Sequence, residues 1–266
     1  MRVALAVIAA ALAIALYASD RLYDAAHQAW SDARRGAHRA LGWPLPGTPD
    51  LSRLRERLGE KGLALGAPIF IRIFKQSREL ELWMRAGESF VLFATYPICT
   101  YSGGLGPKLR QGDLQSPEGF YTAGPDAMNP NSRFRRSFNL GYPNLYDASH
   151  GRTGDFLMVH GACVSIGCYA MTDPVIDELW TIITAAFARG QARFAVHAFP
   201  FRMEDWRMRM HAGGPWADFW ADLKQGYDSF ERTRTPPAIS VCRGRYVVRP
   251  GAPGRDAAAL NAVCTS

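Results

Sequence analysis

The sequence contains no internal repeat and no long low-complexity run, and hydrophobic residues fill 48% of its 266 positions. A disordered chain would lack that apolar content, so we expect one sizeable core with a smaller appended element. Zinc-finger, recognition-helix and aromatic RNA-binding motifs are also absent, which argues against nucleic acid as a partner. An anionic cell envelope accounts equally well for the net charge of +7.

A long apolar segment is missing as well. The run from Val3 to Ala18 follows one arginine, Arg2, and is shorter than the roughly 20 residues of a membrane span. Its length is close to that of a signal-peptide core, so we expect residues 1–19 to direct export. Cleavage after Ala18 would place the bulky Leu16 at the minus-three position, so an uncleaved membrane anchor stays open beside a removed signal peptide.

The most informative segment is FLMVHGACVSIGCYAMTD. Its first four residues, Phe156 to Val159, form a short apolar run that predicts a buried strand ending at His160. Cys168 follows eight residues later and is preceded by Gly167. A histidine within hydrogen-bond reach of a cysteine provides the base that a thiol nucleophile needs.

The surroundings of Cys168 suggest further roles. Asp173 and Pro174 predict the N-cap and first position of a helix, and a thiol near a helix start loses its proton more easily. Gly167 would let a substrate carbonyl approach the backbone, so the N–H groups of Gly167 and Cys168 are the expected donors to an oxyanion.

Three stretches resemble the L,D-transpeptidases with a YkuD-type catalytic domain, and in particular their YafK-like subgroup. The first is His160-Gly161 followed by the sequence SIGC, which ends at Cys168. The second is LGPKLRQGDLQSPEGFYTAGP, and the third is GCYAMTD together with HAFPFRM. Together they cover about half of the chain.

The resemblance implies an α+β fold, with a mostly β catalytic core and helical additions at both ends. It implies Cys168 as nucleophile, His160 as base and the Gly161 carbonyl as the group that orients the base. The substrate would be a peptidoglycan stem peptide, cut at diaminopimelate through a thioester that passes to an amine or to water. No cofactor is expected, and a peptidoglycan-linked lipoprotein is a further expected partner.

Two positions depart from the family pattern. The family usually has a histidine where this chain has Ile166, and an arginine where it has Ala170. Because two polar groups near the substrate are lost, we expect weaker capture of an amine and more hydrolysis, which would make the protein an amidase that releases lipoprotein.

Two other interpretations stay open. His160, Cys163 and Cys168, with His150 as a fourth ligand, would suit tetrahedral zinc, but no second pair of cysteines supports such a site and we expect no metal. A non-catalytic envelope-binding module is the other alternative, although it would be expected to lack the nucleophile or the base.

Five cysteines are compatible with export. If Cys168 remains a thiol, Cys242 with Cys264 would close the C-terminal segment, and Cys99 with Cys163 would form a second bridge. The sequence alone leaves this connectivity open, and a fully reduced chain remains the alternative.

Periodicity outlines four regions, namely the leader, an N-terminal helical segment at 20–65, the catalytic domain at 66–205 and a C-terminal helical segment and tail at 206–266. Alternating apolar residues predict a β-meander between Ile69 and Ala94 and a strand from Phe194 to Ala198. Helices are expected from Pro174 to about Arg189 and from Pro215 to about Phe230. An aromatic stripe on the last helix is expected to pack in the core rather than bind glycan.

Residues 99–150 are rich in Gly, Pro, Asn and Ser, and we expect functional loops beside the site. The candidate contacts to substrate or oxyanion, beyond Gly167, are Ser165, Lys108, Arg110, Tyr121, Tyr142 and Arg202. Each of the charged and tyrosine side chains could equally be an ordinary surface residue.

Overall fold

The computed structural model describes residues 2–252, 254, 257–262 and 264, and it describes side chains of the first helix only from residue 18 onward, residue 20 excepted. The helices in this part of the chain are α1 (Arg2–Ala40), α2 (Leu54–Gly59), α3 (Leu145–Ser149), α4 (Asp173–Ala188), α5 (Asp205–Met210) and α6 (Ala217–Thr233). The strands are β1 (Ile69–Phe74), β2 (Glu79–Ala86), β3 (Ser89–Tyr101), β4 (Gly119–Ala123), β5 (Met128–Asn129), β6 (Ser137–Asn139), β7 (Met158–His160), β8 (Tyr169–Met171), β9 (Phe194–Phe199), β10 (Ala238–Cys242), β11 (Arg245–Arg249) and β12 (Asn261–Ala262).

A mixed sheet dominates the described residues. Its strand order is β4-β9-β1-β2-β3-β8-β7-β6-β5, with parallel pairs at β1/β9 and β7/β8. The predicted meander is confirmed, because β1, β2 and β3 pair antiparallel in sequence order. This architecture confirms the expected α+β class with a mostly β core and helices at both ends.

Both faces of the central strands are buried. Ile69, Ile71 and Ile73 face the core under α4, as the alternation predicts. The intervening residues are buried too, since α6 covers the second face and packs Phe230 against Phe70, with ring centroids 4.7 Å apart. The sheet also curls around the first core, where Phe138 of β6 meets Phe194 of β9 at 5.5 Å.

The C-terminal region differs from the expected helical segment and tail. The helix from Ala217 to Thr233 is there, and its stripe packs as predicted, with Phe219, Trp220, Leu223 and Tyr227 all buried. Beyond it, however, β10, β11 and β12 form a small second sheet. Sequence periodicity missed these strands because they are short and half-exposed, so their apolar alternation is weak.

The expected loops between residues 99 and 150 also contain regular structure, namely β4, β5, β6 and α3. The sequence did not predict β4, because this strand lies in a segment rich in glycine and proline. It is nevertheless well paired, since five of its residues align antiparallel with β9.

The C-terminal half of α1 packs against the sheet. The buried guanidinium of Arg35 donates to the carbonyls of Ile98, Ser77 and Arg78 at 2.9 to 3.1 Å. Asp24 forms an ion pair with Arg207 of α5 at 2.8 Å. No described helix combines the length and the apolar composition that a bilayer crossing requires. The predicted leader falls almost entirely on side chains outside the described set, so it stays a prediction.

Candidate active site

β7 and β8 bring the histidine and the cysteine together. The two strands are parallel, and His160, the last residue of β7, pairs with Ala170 of β8. Cys168 immediately precedes β8, and its Sγ accepts a hydrogen bond from the N–H of Met158, the first residue of β7, at 3.4 Å. Cys168 therefore lies beside the first residue of β7, and His160 is the last residue of that strand, two residues or about 7 Å further along the strand direction.

The strand is shorter than the apolar run predicted. It begins at Met158 rather than Phe156, because Phe156 has a positive φ of 51° and a side chain that is 73% exposed. A residue in that left-handed conformation cannot continue a strand. The prediction that the strand ends at His160 is confirmed.

The imidazole of His160 is fixed in one tautomer. Its Nδ1 lies 2.6 Å from the carbonyl oxygen of Gly161, and a carbonyl oxygen only accepts, so Nδ1 carries the proton. Nε2 is therefore the unprotonated nitrogen and can accept a proton. The ring stacks on Phe134 with centroids 4.9 Å apart, and burial lowers the pKa of His160 below its ordinary value of 6.5 despite the Gly161 carbonyl.

The backbone after His160 requires a glycine. A Cβ on Gly161 would lie 2.6 Å from Asp173 Oδ1 and 3.2 Å from the Phe134 carbonyl oxygen. The Phe134 carbonyl accepts a hydrogen bond from the Gly161 N–H at 3.1 Å. The Asp173 carboxylate accepts one from the Ala162 N–H at 3.0 Å. These contacts hold the carbonyl of Gly161 against the imidazole.

Serine hydroxyls shape the turn that carries Cys168. Ser165 and Ser116 both donate to the Cys168 carbonyl, at 2.7 and 3.0 Å. The N–H of Gly167, one of the two expected oxyanion donors, donates to Ser165 Oγ at 3.2 Å in this structure. Gly167 itself has a φ of 144°, a conformation that favours glycine.

A buried lysine anchors the segment that carries Ser116. Lys75, at the end of β1, donates to the carbonyls of Gly106 and Ser116, both at 2.9 Å, and forms an ion pair with Glu118 at 3.0 Å. Both charged side chains are fully buried, and removing one partner of such a pair typically costs about 3–5 kcal/mol. This pair therefore holds the segment beside Cys168 in place.

The Cys168 thiol is half-buried. Burial raises its pKa above the ordinary value of 9.0, although the Met158 N–H and the charge of Lys108 act in the opposite direction. The expectation that a helix start would lower this pKa is wrong. β8 separates Cys168 from α4, and the N-cap of that helix is Thr172 rather than Asp173.

The two reacting groups are not hydrogen-bonded to each other. The Cys168 thiol points to the Phe156 carbonyl oxygen at 3.7 Å, and the protonated side of His160 points to Gly161. Contacts between a nucleophile and its base are often loose without substrate and tighten when substrate binds. A neutral thiol beside a neutral imidazole is suited to proton transfer during attack rather than before it.

Lys108 and Tyr142 are placed near the site but are buried. Lys108 Nζ donates to Asp113 at 2.5 Å and to the Arg110 carbonyl at 3.0 Å. The Tyr142 hydroxyl donates to the Lys108 carbonyl at 3.2 Å, and Tyr121 is likewise buried against Glu118 and Asp147. These side chains shape the segment around the thiol, and the Lys108 charge acts on Cys168 through space.

Arg202 does not join the residues around Cys168. Its guanidinium forms ion pairs with Glu79 and Glu81 of β2, both at 2.7 Å, and covers the ring of Phe74.

The two residues that depart from the family pattern differ in exposure. Ile166 is 80% exposed, and Ala170 is fully buried inside β8.

Disulfides account for the other four cysteines. Cys99 is joined to Cys163 and Cys242 to Cys264, as expected, and Cys168 is free. Because Cys163 is bonded to Cys99, it is not a thiolate ligand, and the zinc alternative loses one of its four groups. His150 is bound elsewhere, with Nδ1 at 2.9 Å from the Tyr146 carbonyl oxygen.

Comparison with known proteins identifies the family. The sequence is 52% identical, over 184 residues, to "Putative L,D-transpeptidase YafK" of Escherichia coli strain K12, an alignment that spans 69% of this chain and 75% of the relative. The protein of that name in Escherichia coli O157:H7 gives the same figures. The chain belongs to the L,D-transpeptidase family. The resemblance seen in the sequence is thereby confirmed, although no family model matches the chain.

Solved structures give weaker similarity than these L,D-transpeptidase relatives. The helical cell shape determining protein Pgp2 of Campylobacter jejuni aligns with a TM-score of 0.41 and 19% identity, over 66% of this chain and 65% of that one. Bd1075 of Bdellovibrio bacteriovorus aligns with a TM-score of 0.36 and 23% identity, over 51% and 49%. The chain thus spans less than two thirds of either structure.

Sequence reasoning missed three residues that build this L,D-transpeptidase site, namely Ser116, Phe134 and Asp173. Ser116 lies within the SPEG sequence of the family-like stretch, and that was the available signal. Asp173 was recognised only as a helix start. Phe134 carried no signal, because its stacking on His160 depends on a loop between β5 and β6.

Proposed function

We propose that this protein is a cysteine acyl enzyme of the cell envelope, acting on peptidoglycan stem peptides at diaminopimelate. One observation carries the proposal. His160 carries its proton on Nδ1, which donates to the Gly161 carbonyl and leaves Nε2 as a base. The free thiol of Cys168 immediately precedes β8, the strand that pairs with the strand of His160. Membership of the L,D-transpeptidase family supports the substrate class.

In the proposed reaction, the Cys168 sulfur attacks the carbonyl carbon of the scissile amide while its proton moves to Nε2 of His160. The tetrahedral intermediate collapses as the C–N bond breaks, and the imidazolium returns the proton to the departing amine. A thioester remains on Cys168. An amine or a water molecule then attacks this thioester, again with His160 as base, and the thiol is restored.

Water is the acceptor that the site favours, in our proposal. An amine acceptor must be held in line with the thioester, and positioning of that kind can contribute several kcal/mol, roughly 7–11 at the upper end. Ile166 offers only an exposed apolar side chain and Ala170 a buried methyl group, so neither can bind an amine acceptor. The protein would then act mainly as an amidase, with a peptidoglycan-linked lipoprotein among its substrates.

We assign the reaction to residues 66–205, with the segments 20–65 and 206–266 as supports. We also assign residues 1–19 to export, as a signal peptide or anchor. The net charge of +7 would favour an anionic envelope.

The experiment is incubation of the purified protein with crosslinked and lipopeptide-bearing muropeptides, followed by mass analysis. We expect hydrolysed products, and we expect the Cys168→Ala variant to form none while keeping its thermal unfolding midpoint. New diaminopimelate crosslinks without hydrolysis would contradict the amidase outcome. Equal turnover by Cys168→Ala would contradict the acyl-enzyme assignment.

A further inference from the structure

Three large apolar side chains in the two segments that flank Cys168 are exposed to solvent. Ile166 is 80% exposed, Phe156 73% and Val164 50%, and the first two are the most exposed large apolar side chains among the described residues. We call these three residues the apolar rim. Single exposed apolar residues need no explanation, but a cluster beside a reactive group marks a binding surface.

The rim belongs to two segments that touch each other at Cys168. The Cys168 thiol donates to the Phe156 carbonyl oxygen at 3.7 Å. A Cβ built on Gly167 would lie 3.3 Å from Leu157 Cδ1, so the residues following Phe156 and Ile166 are in contact. Phe156 and Ile166 therefore belong to the two segments that meet at Cys168, and both expose their side chains there.

Phe156 also occupies a backbone conformation that a bulky residue rarely adopts. Its φ is 51°, and left-handed conformations are unfavourable for residues with a Cβ. Folding gains nothing from a ring that stays in water, so the fold itself does not explain a phenylalanine here. Strained residues with this exposure cluster at ligand-binding sites.

We propose that the apolar rim binds a bulky apolar side chain in a polypeptide attached to the stem peptide, close to the amide that Cys168 attacks. The inference rests on the proposed function. The side chain of diaminopimelate in a stem peptide ends in amine and carboxylate groups, and it offers these apolar side chains little to contact. A polypeptide leaving group supplies aromatic or branched aliphatic side chains, which would cover Phe156 and Ile166.

The test uses two stem-peptide conjugates that differ in one feature. One carries a short peptide with leucine or phenylalanine near the attachment point, and the other carries serine at the same positions. Burial of one large apolar side chain predicts that the wild type prefers the apolar conjugate by about tenfold or more in kcat/KM. The ratio of the two values cancels any general loss of activity in a variant.

Phe156→Asn and Ile166→Thr are the informative variants. Asparagine adopts a positive φ more readily than most residues, so Phe156→Asn keeps the backbone and removes the ring. We expect each variant to lose most of the preference, and Phe156→Tyr to retain it. Leu51→Asn is the matched control, since Leu51 is 42% exposed on the short helical turn before α2 and should leave the preference unchanged.

Binding to Cys168→Ala separates this inference from the reaction itself. Fluorescence anisotropy with both labelled conjugates should show tighter binding of the apolar one, and Cys168→Ala/Phe156→Asn should bind the two equally. That result would support binding of an apolar side chain by the rim even if neither conjugate were cleaved. Equal binding of the two conjugates by Cys168→Ala would overturn the proposal. So would a dimer in sedimentation experiments that buries the apolar rim and that Phe156→Asn dissociates.

Discussion

At the scale of single residues, the surroundings of Cys168 and His160 disfavour charge on both side chains. Burial raises the pKa of the thiol and lowers the pKa of the imidazole. We therefore expect a neutral thiol and a neutral imidazole at rest, rather than a thiolate–imidazolium pair. The proton would then move to His160 when the substrate carbonyl is in place.

This resting state predicts the pH dependence of alkylation. Because the pKa of Cys168 lies above its ordinary value of 9.0, the thiolate fraction should rise about tenfold per pH unit from pH 6 to 8. The rate of alkylation by iodoacetamide, followed by intact mass, should rise with the same slope. His160→Gln should keep that slope, and a plateau between about pH 5 and 8 in the wild type would contradict the neutral pair.

The sequence predicted Cys168 and His160 as the candidate pair because each has a glycine beside it and because a short apolar run precedes His160. It could not identify Ser116, whose hydroxyl reaches Cys168 from 52 residues away along the chain. It also could not reveal the hydrogen bond from the Gly167 N–H to Ser165 Oγ, which forms only when the turn is folded.

At the scale of elements, the loop from Gly161 to Cys168 decides where the thiol lies. Ala162 and Cys163 both have positive φ values, 67° and 48°, so this loop has little regular structure of its own. It is held by the Asp173 carboxylate at one point and by the disulfide to Cys99 of β3 at another. The disulfide therefore connects the nucleophile's loop to the central sheet.

We expect Cys99→Ser/Cys163→Ser to slow acylation of Cys168 by a carbapenem several-fold, because the loop loses its attachment to β3. Opening a bridge with 64 residues of sequence separation should also lower the free energy of unfolding by up to about 4 kcal/mol. Mass spectrometry gives the first quantity and denaturant unfolding the second.

The second disulfide supplies the matched control. Cys242→Ser/Cys264→Ser opens a bridge with a separation of 22, in the small C-terminal sheet, and should lower stability by about 3 kcal/mol without slowing acylation well below the unfolding midpoint. Equal slowing in both double variants would mean that general stability, rather than loop attachment, controls the thiol.

Elements with strong periodicity were predictable, and elements with weak periodicity were not. The meander, α4, β9 and α6 follow from regular spacing of apolar residues. β4 escaped prediction because its pairing with β9 is set by tertiary structure. The small sheet of β10, β11 and β12 escaped because its strands bury few side chains.

At the scale of the whole molecule, the site forms where the curled sheet returns on itself. Four strands separate β4 from β8 in the strand order, yet Ser116, just before β4, bonds to Cys168, just before β8. The buried ion pair between Lys75 and Glu118 holds the segment that contains Ser116 in this position. No local sequence pattern specifies such a contact, so the sequence could indicate a candidate pair but not the structure around it.

Above all, we propose that Cys168 carries the acyl group of a peptidoglycan stem peptide during the reaction. The most direct measurement is intact and peptide-level mass spectrometry of the full-length protein, quenched in acid seconds after mixing with a muropeptide. We predict an added mass equal to the acyl portion, located on the peptide that contains Cys168, removed by hydroxylamine and absent from Cys168→Ala. Conversion of the muropeptide with the adduct absent, or with the adduct on another residue, would contradict the account.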